Sequence, residues 1–355
     1  MPRALPATRT DARIEFVVSA PLDLLNAMYF THLARDLEEV DGWPARIRRS
    51  APPDLLAEID DLFTFPGEQP GVMGALNDVL FAHPEAWNDL DALLRFVEAL
   101  PDGVGDIPVR PGVQGLVRYS LKWCAPAQGA ESDREAVRAA LEAAGRDVEA
   151  GLALYGRPAE LRRRIGALIR RFHDDVYASE WRRRLPCLER SVAAHRGRPV
   201  DDVERLMREL TGCQISCLSD APDRYQRFIF APSPDMGPYV SCADMPPIHG
   251  LYYPCPPPDA GEADLEVDRL AQVWRALGDP QRLRILRLLR GRELYAQEIA
   301  ERTGLHQSVV SRHLSYLKAV GLVRGRRAGA MKYFTVDPAA RDRLAAALEL
   351  FSPEG

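Results

Sequence analysis

Cysteine is scarce in this chain, six in 355 residues, too few and too scattered for a disulfide framework, so most are expected to be thiols. No run of about 18 apolar residues occurs, and no membrane-spanning helix is expected. The first residues, MPRALPATRTDARIEFVVSA, lack the apolar core and small-residue cleavage site of a secretory signal. A cytoplasmic location without membrane contact is therefore expected. Also missing are a glycine-rich phosphate loop, a Gly-x-Ser-x-Gly turn and a His-Glu-x-x-His helix. A catalytic reading would have to pair carboxylates and histidines by hand, so no catalytic residue, no enzyme and no cofactor is expected.

What is present is an ordinary globular composition, 46% hydrophobic and 27% charged, in a chain long enough for two or three domains. The net charge of −5 is unevenly distributed. From Asp264 to Gly355 there are 16 Lys and Arg against 11 Asp and Glu, a net of +5, which leaves −10 for the preceding residues. Between Gln281 and Lys332 twelve basic residues face only Glu293, Glu298 and Glu301. A basic module attached to an acidic body is the electrostatic pattern of a nucleic-acid-binding protein.

The expected fold class is mainly α: a helical N-terminal domain over 1–253 with a small β element, a proline-rich linker over 254–264, and a DNA-binding domain over 265–355. Apolar periodicity predicts helices over Pro21–Leu37, Pro53–Phe65, Val72–Phe81, Leu90–Leu100, Arg134–Ala150, Pro158–Phe172, Asp174–Ala194 and Asp201–Leu210. RIEFVVS at 13–19 alternates like a strand and is matched to YQRFIFA at 225–231, with further short strands at Pro238–Cys242 and Gly250–Tyr253. PCPPPDAGEAD is the linker, because consecutive prolines favour an extended chain.

Beyond the linker the punctuation is sharp. Asp279-Pro280 places a capping side chain and a first-turn proline ahead of a helix with Leu283, Ile285, Leu286 and Leu289 apolar and Arg282, Arg284, Arg287 and Arg290 basic. A second helix, about Tyr295–Thr303, stops at Gly304. The next, beginning at QSVVSRHLSYLKAVGLV, carries Val310, Leu314 and Leu317 on one side and Ser308, Ser311, Arg312 and Ser315 on the other. Helix, tight turn and a second helix with small hydroxyl and basic residues outward is the helix-turn-helix layout. Short serines let the backbone approach a major groove while Arg reaches bases or phosphates. Two alternating strands, Leu322–Arg327 and Met331–Val336, form a hairpin wing with Arg324, Arg326, Arg327 and Lys332, and a last helix runs to about Phe351.

Through ALGDPQRLRILRLL, QEIAERTGLHQSVVSRHLSYLKAVGLV and RRAGAMKYFTV, about a quarter of the chain resembles the ArsR/SmtB family of winged-helix repressors. The resemblance implies a homodimer whose outer helices, Asp264–Leu277 and Ala339–Phe351, pack on their symmetry mates, and double-stranded DNA as partner, read as an imperfect palindrome with half-sites about one helical turn apart. Gln307, Ser308, Ser311, Arg312, His313 and Ser315 are the base-reading candidates, and Arg324, Arg326, Arg327 and Lys332 the wing and phosphate candidates. His313 falls nearer the apolar stripe, so packing is as open as DNA contact. Two departures stand out. LYAQEIAERTG lacks the paired cysteines that metal-sensing members carry there, and the long N-terminal body is absent from minimal members.

In that body Cys213, Cys217, Cys242, His249 and Cys255 are candidate metal or redox ligands, set against the simpler reading of small buried thiols in a non-standard spacing. The arginine-rich stretch from Arg162 to Arg184 is either an anion site or a set of faces paired to the acidic surplus. The leading reading is a sequence-specific DNA-binding regulator, a homodimeric repressor whose N-terminal domain senses a signal such as a small-molecule effector or adds a dimerisation surface. Two others stay open: an enzyme or small-molecule-binding domain fused to an autoregulatory winged helix, and an interaction protein.

Overall fold

The computed structural model describes residues 12–37, 40, 42–67, 70–124, 130–197, 200–211, 224–258, 260, 262–328 and 331–349. The body is built on helices α1 (Ala20–Leu33), α2 (Gly42–Ser50), α3 (Pro53–Thr64), α4 (Gly71–Leu80), α5 (Leu90–Ala99), α6 (Val113–Ser120), α7 (Asp133–Ala143), α8 (Val148–Tyr155), α9 (Pro158–Phe172), α10 (Ala178–His195) and α11 (Val203–Thr211). The predicted helix over 134–150 is two helices, because Gly145 turns the chain at φ +65° between them. Helix α9 runs into α10 through a single wide turn at His173–Tyr177. Helices α2 and α6, nine and eight residues long, fall outside the predicted set; α6 carries the i, i+3, i+4 signal in Val113, Leu116 and Val117, but in too short a window to stand out.

Four strands thread the body in the order β1 (Arg13–Phe16), β4 (Arg227–Ser233), β6 (Ile248–Pro254), β5 (Cys242–Met245); β2 (Gly105–Asp106) and β3 (Arg110–Pro111) form a separate short ribbon. The match of RIEFVVS to YQRFIFA is realised as a parallel pair, Arg13 opposite Arg227. The sheet is covered on both faces, as a largely parallel sheet must be. In β4, Phe228 and Phe230 face α11 through Leu206, Met207 and Leu210, while Ile229 and Ala231 join the large helical core on the opposite face. Gly250 of β6 lets Phe81 lie directly on the strand: a Cβ there would stand 2.3 Å from the ring.

Beneath this sheet Asp78 of α4 is buried, 3.6 Å from the Lys122 ammonium and accepting from the Tyr119 hydroxyl at 3.1 Å. Burial pushes its carboxyl up to about 6, against the smaller opposing pull of Lys122. The folded state therefore holds a proton that the unfolded chain releases near pH 4, and this contribution to stability is present below pH 4 and lost as pH rises through 6. The shift corresponds to roughly 3 kcal/mol. Asp78→Asn is expected to flatten this part of the thermal midpoint's pH dependence between pH 4 and 7; an unchanged profile in calorimetry would remove Asp78 as its source.

The C-terminal module comprises α12 (Glu262–Leu277), α13 (Pro280–Leu289), β7 (Leu294–Tyr295), α14 (Ala296–Thr303), α15 (Gln307–Ala319), β8 (Val323–Ala328), β9 (Met331–Val336) and α16 (Ala340–Glu349). Its own core joins Val273, Ile285, Leu289, Ile299, Val310, Leu314, Leu317 and Phe334. The linker is shorter than its sequence suggests: Pro254 still belongs to β6, and α12 begins at Glu262.

Candidate nucleic-acid interface

Local chemistry places the elements of this module. Asp279 caps α13, its Oδ1 accepting from the backbone N–H of Gln281 at 2.7 Å and Arg282 at 3.1 Å, with Pro280 in the first turn. Glu298 reaches back to the Tyr295 amide at 3.0 Å at the start of α14, and Gly304 ends that helix at φ +70°, which turns the chain directly into α15. A third strand, β7, pairs with β9 through Leu294 opposite Phe334 and anchors the wing to the helices.

On α15 the two sides separate as the periodicity predicts. Val310, Leu314 and Leu317 are buried, and Gln307, Ser311, Arg312 and Ser315 are exposed. The side chains of Ser308 and Arg327 lie outside the described residues, as do Cys213 and Cys217. His313 departs from the base-reading set: it is 9% exposed, with Nδ1 4.0 Å from the Asp279 carboxylate. Its position adjoining the apolar stripe turns it toward the cap of α13.

Helix α13 is rotated relative to its sequence assignment. Leu283 is 47% exposed while Arg282 is buried, its guanidinium 4.3 Å above the Tyr316 ring and donating to the Arg275 carbonyl at 3.0 Å. An aromatic face, a helix-end carbonyl and the Asp279 carboxylate, 3.8 Å from Nε, offset the cost of burying this charge. Tyr316 lies outside the predicted core; its hydroxyl also donates to Gln272 O at 3.3 Å, and its place three residues after His313 and four before Val320, both buried, was the available signal.

In the wing, Arg324, Arg326 and Lys332 are exposed. Arg326 is held by a two-pronged pair with Glu293, 2.8 Å and 2.5 Å, and this guanidinium keeps the Glu293 carboxyl below its ordinary value. Lys332 lies 5.4 Å from the Phe334 ring centre.

The body shares this neighbourhood. Arg312 and Ser315 line a cleft of about 610 Å³ whose opposite wall includes Tyr29 and Leu33 of α1, with Asp36, Leu37 and Val240. Tyr239 packs against both cores and stands 6.2 Å from the Tyr316 ring.

Among the described residues, the candidate ligands Cys242, His249 and Cys255 have separate surroundings. Cys255 sits with Cys187 and Leu188, His249 meets the Tyr225 ring edge-on and the Phe228 ring at a tilt, and Cys242 lies opposite Leu251. Among the described residues no three His, Cys, Asp or Glu converge in a way that would hold a metal ion. Five arginines of the run are paired: Arg162 to Asp102, Arg164 to Glu58 and Asp61, Arg171 to Asp54 and Asp175, and Arg183 and Arg184 to Glu180. Among the described residues no helix is long and apolar enough to cross a membrane.

Residues 279–324 match the arsR family of bacterial regulatory proteins. Over 98 residues the chain is 35% identical to the HTH-type transcriptional regulator Rv0324 of Mycobacterium tuberculosis, covering 27% of this chain and 43% of that protein, less than half of its length. It is 34% identical over 65 residues to the transcriptional repressor SdpR of Bacillus subtilis, covering 18% of this chain and 72% of the repressor. Among solved structures, the homodimeric winged helix-turn-helix DNA-binding domain of Mb0332 from Mycobacterium bovis is similar, with 32% identity, 26% of this chain and 86% of that chain covered, and a TM-score of 0.23. Through the helices and wing of its C-terminal module, this chain belongs to the arsR family of bacterial regulatory proteins.

Proposed function

We propose that the protein is a cytoplasmic transcriptional regulator that binds an imperfect DNA palindrome as a homodimer, represses from it, and is controlled through its N-terminal body. One observation carries the reading: α15 buries Val310, Leu314 and Leu317 and leaves Gln307, Ser311, Arg312 and Ser315 exposed on the opposite side. Short polar side chains beside an arginine suit a helix that enters the major groove, with Arg324 and Lys332 of the wing on flanking phosphates. Dimerisation is supported by large apolar side chains exposed on the two outer helices, Val267 and Trp274 on α12 and Leu348 on α16.

The test is a mobility shift and footprint on DNA upstream of the protein's own gene. A protected palindrome is expected at low salt, and its absence would sink the reading. With Arg312, Arg324 and Lys332 on phosphates or bases from two subunits, about six cationic contacts are made. The affinity should then fall roughly 10³-fold between 50 and 200 mM salt. A flat salt response would remove the phosphate role of the wing.

A further inference from the structure

Two buried thiols meet in the body, outside residues 279–324 of the winged module. Cys187 lies on α10, and Cys255 follows directly on β6. With Leu188 they form a small cluster apart from the main cores, the two cysteines 3% and 2% exposed. Each is held from its own side. The Cys255 amide donates to the carbonyl of the buried Ser233 at 3.1 Å, which carries the β4–β6 pairing one residue further. Cys187 sits one turn beyond Arg184, which Asp235 and Asp23 fix in place, and its Sγ donates to the Arg184 carbonyl at 2.9 Å.

The two thiols share a hydrogen bond, and it separates their roles. Cys255 donates to Cys187, which holds the Cys187 thiol below its ordinary value; Arg190 and Arg184 add to this, against burial and Asp23. The same bond, together with burial, pushes the Cys255 thiol well up. One sulfur is thus the better thiolate, and its neighbour keeps a proton to give, as an attacking and a resolving thiol require. Access comes from one side. Cys255 lines the cavity of about 840 Å³ between body and module, beside Pro254, Pro257 and Pro258. A hydroperoxide, whose reacting end is hardly larger than water, reaches the pair there, whereas burial shuts out a bulky disulfide.

We propose that Cys187 and Cys255 are an oxidisable dithiol, a modification site at which a hydroperoxide is reduced and the two sulfurs become an intramolecular disulfide. The Cys187 thiolate attacks the terminal peroxide oxygen: an S–O bond forms, the O–O bond breaks, and the departing alkoxide or hydroxide takes up the proton that Cys187 released. The Cys255 sulfur then attacks the Cys187 sulfur: the S–S bond forms, the S–O bond breaks, and hydroxide leaves as water with the Cys255 proton. The two thiols lose two electrons and the peroxide gains them, giving one disulfide, one water, and one alcohol or second water. Because both backbones are fixed, side-chain rotation brings the sulfurs to the bond length of roughly 2 Å. The product ties α10 to the root of the segment that leads into α12 at Glu262.

The full chain, reduced and then freed of reductant, is treated with hydrogen peroxide, blocked with N-ethylmaleimide and digested for mass spectrometry without reduction. A peptide joining Cys187 to Cys255 within single chains is expected in most molecules, and dithiothreitol should abolish it. A sample unfolded in guanidinium should form that linkage roughly tenfold less, because only the fold brings these sulfurs together. Cys255→Ser is expected to leave a sulfenic acid on Cys187 that dimedone labels, and Cys187→Ser to give roughly tenfold less label on Cys255. Folded wild-type chains whose Cys187 and Cys255 both carry only N-ethylmaleimide overturn the site, as does equal linkage in folded and unfolded chains. Equal dimedone labelling of the two variants overturns the assignment of Cys187 as the attacking thiol. Operator DNA is absent from every arm, so these outcomes are decisive whether or not the chain binds DNA as proposed above.

Discussion

Replacing Arg184 with alanine is expected to lower the thermal midpoint of the protein by roughly 10 °C. Arg184 is fully buried on α10, with Nη2 donating to Asp235 at 3.0 Å, Nη1 to Asp235 and to Asp23 at 3.3 Å, and Nε to Glu180 at 3.4 Å. Its guanidinium also lies 4.4 Å over the Trp43 ring. Burial alone would weaken the Arg184 charge, but the Asp235 and Asp23 carboxylates hold its proton above the ordinary arginine value. Burial likewise pushes the Asp235 carboxyl up to about 6, in spite of Arg184. Alanine would leave three carboxylates around an empty, dry space, and removing one partner of such a buried pair costs about 3–5 kcal/mol. At roughly 2–4 °C per kcal/mol for a domain of this size, the midpoint falls as stated. Replacing the charges together is milder: Arg184→Met/Asp235→Leu is expected to recover much of the loss. A calorimetric shift below about 2 °C for Arg184→Ala would show that the cluster is not the anchor of the body.

The second large effect is on DNA. Ser311→Ala/Arg312→Ala is expected to weaken operator binding by roughly 100-fold or more, since each specific arginine contact contributes about 1–3 kcal/mol and a dimer makes each twice. Both residues are exposed, so the thermal midpoint should move little and the dimer should persist in sedimentation. A full-affinity, equally specific variant would remove α15 as the reading helix. His313→Ala differs in kind. Because His313 is buried against Asp279, its loss should appear first in stability.

How much of this was legible before the fold was known depended on the range of the interactions. Asp279-Pro280, Gly304 and the 3.6-residue stripe of Val310, Leu314 and Leu317 act within one or two helical turns, so the cap, the turn and the two-sided helix α15 were readable almost residue by residue. The wing hairpin was readable for the same reason: strand alternation on either side of a tight glycine-containing turn is a local signal. The same local logic misread α13, where Arg282 takes an inward position because Tyr316, thirty-four residues on, offers a ring to its guanidinium.

The amino-acid sequence by itself determined the mainly helical class, the basic winged module, its family resemblance and the two-sided character of α15, since each is encoded by charge and periodicity along a short stretch. Only the tertiary structure decided that β1 lies parallel to β4 across more than two hundred residues, that Arg184 is sealed among Asp23, Glu180 and Asp235, and that Arg312 faces α1. Those outcomes depend on which distant surfaces exclude water together. Burial makes a charge choose its partners by proximity in space, and no spacing along the chain records that choice.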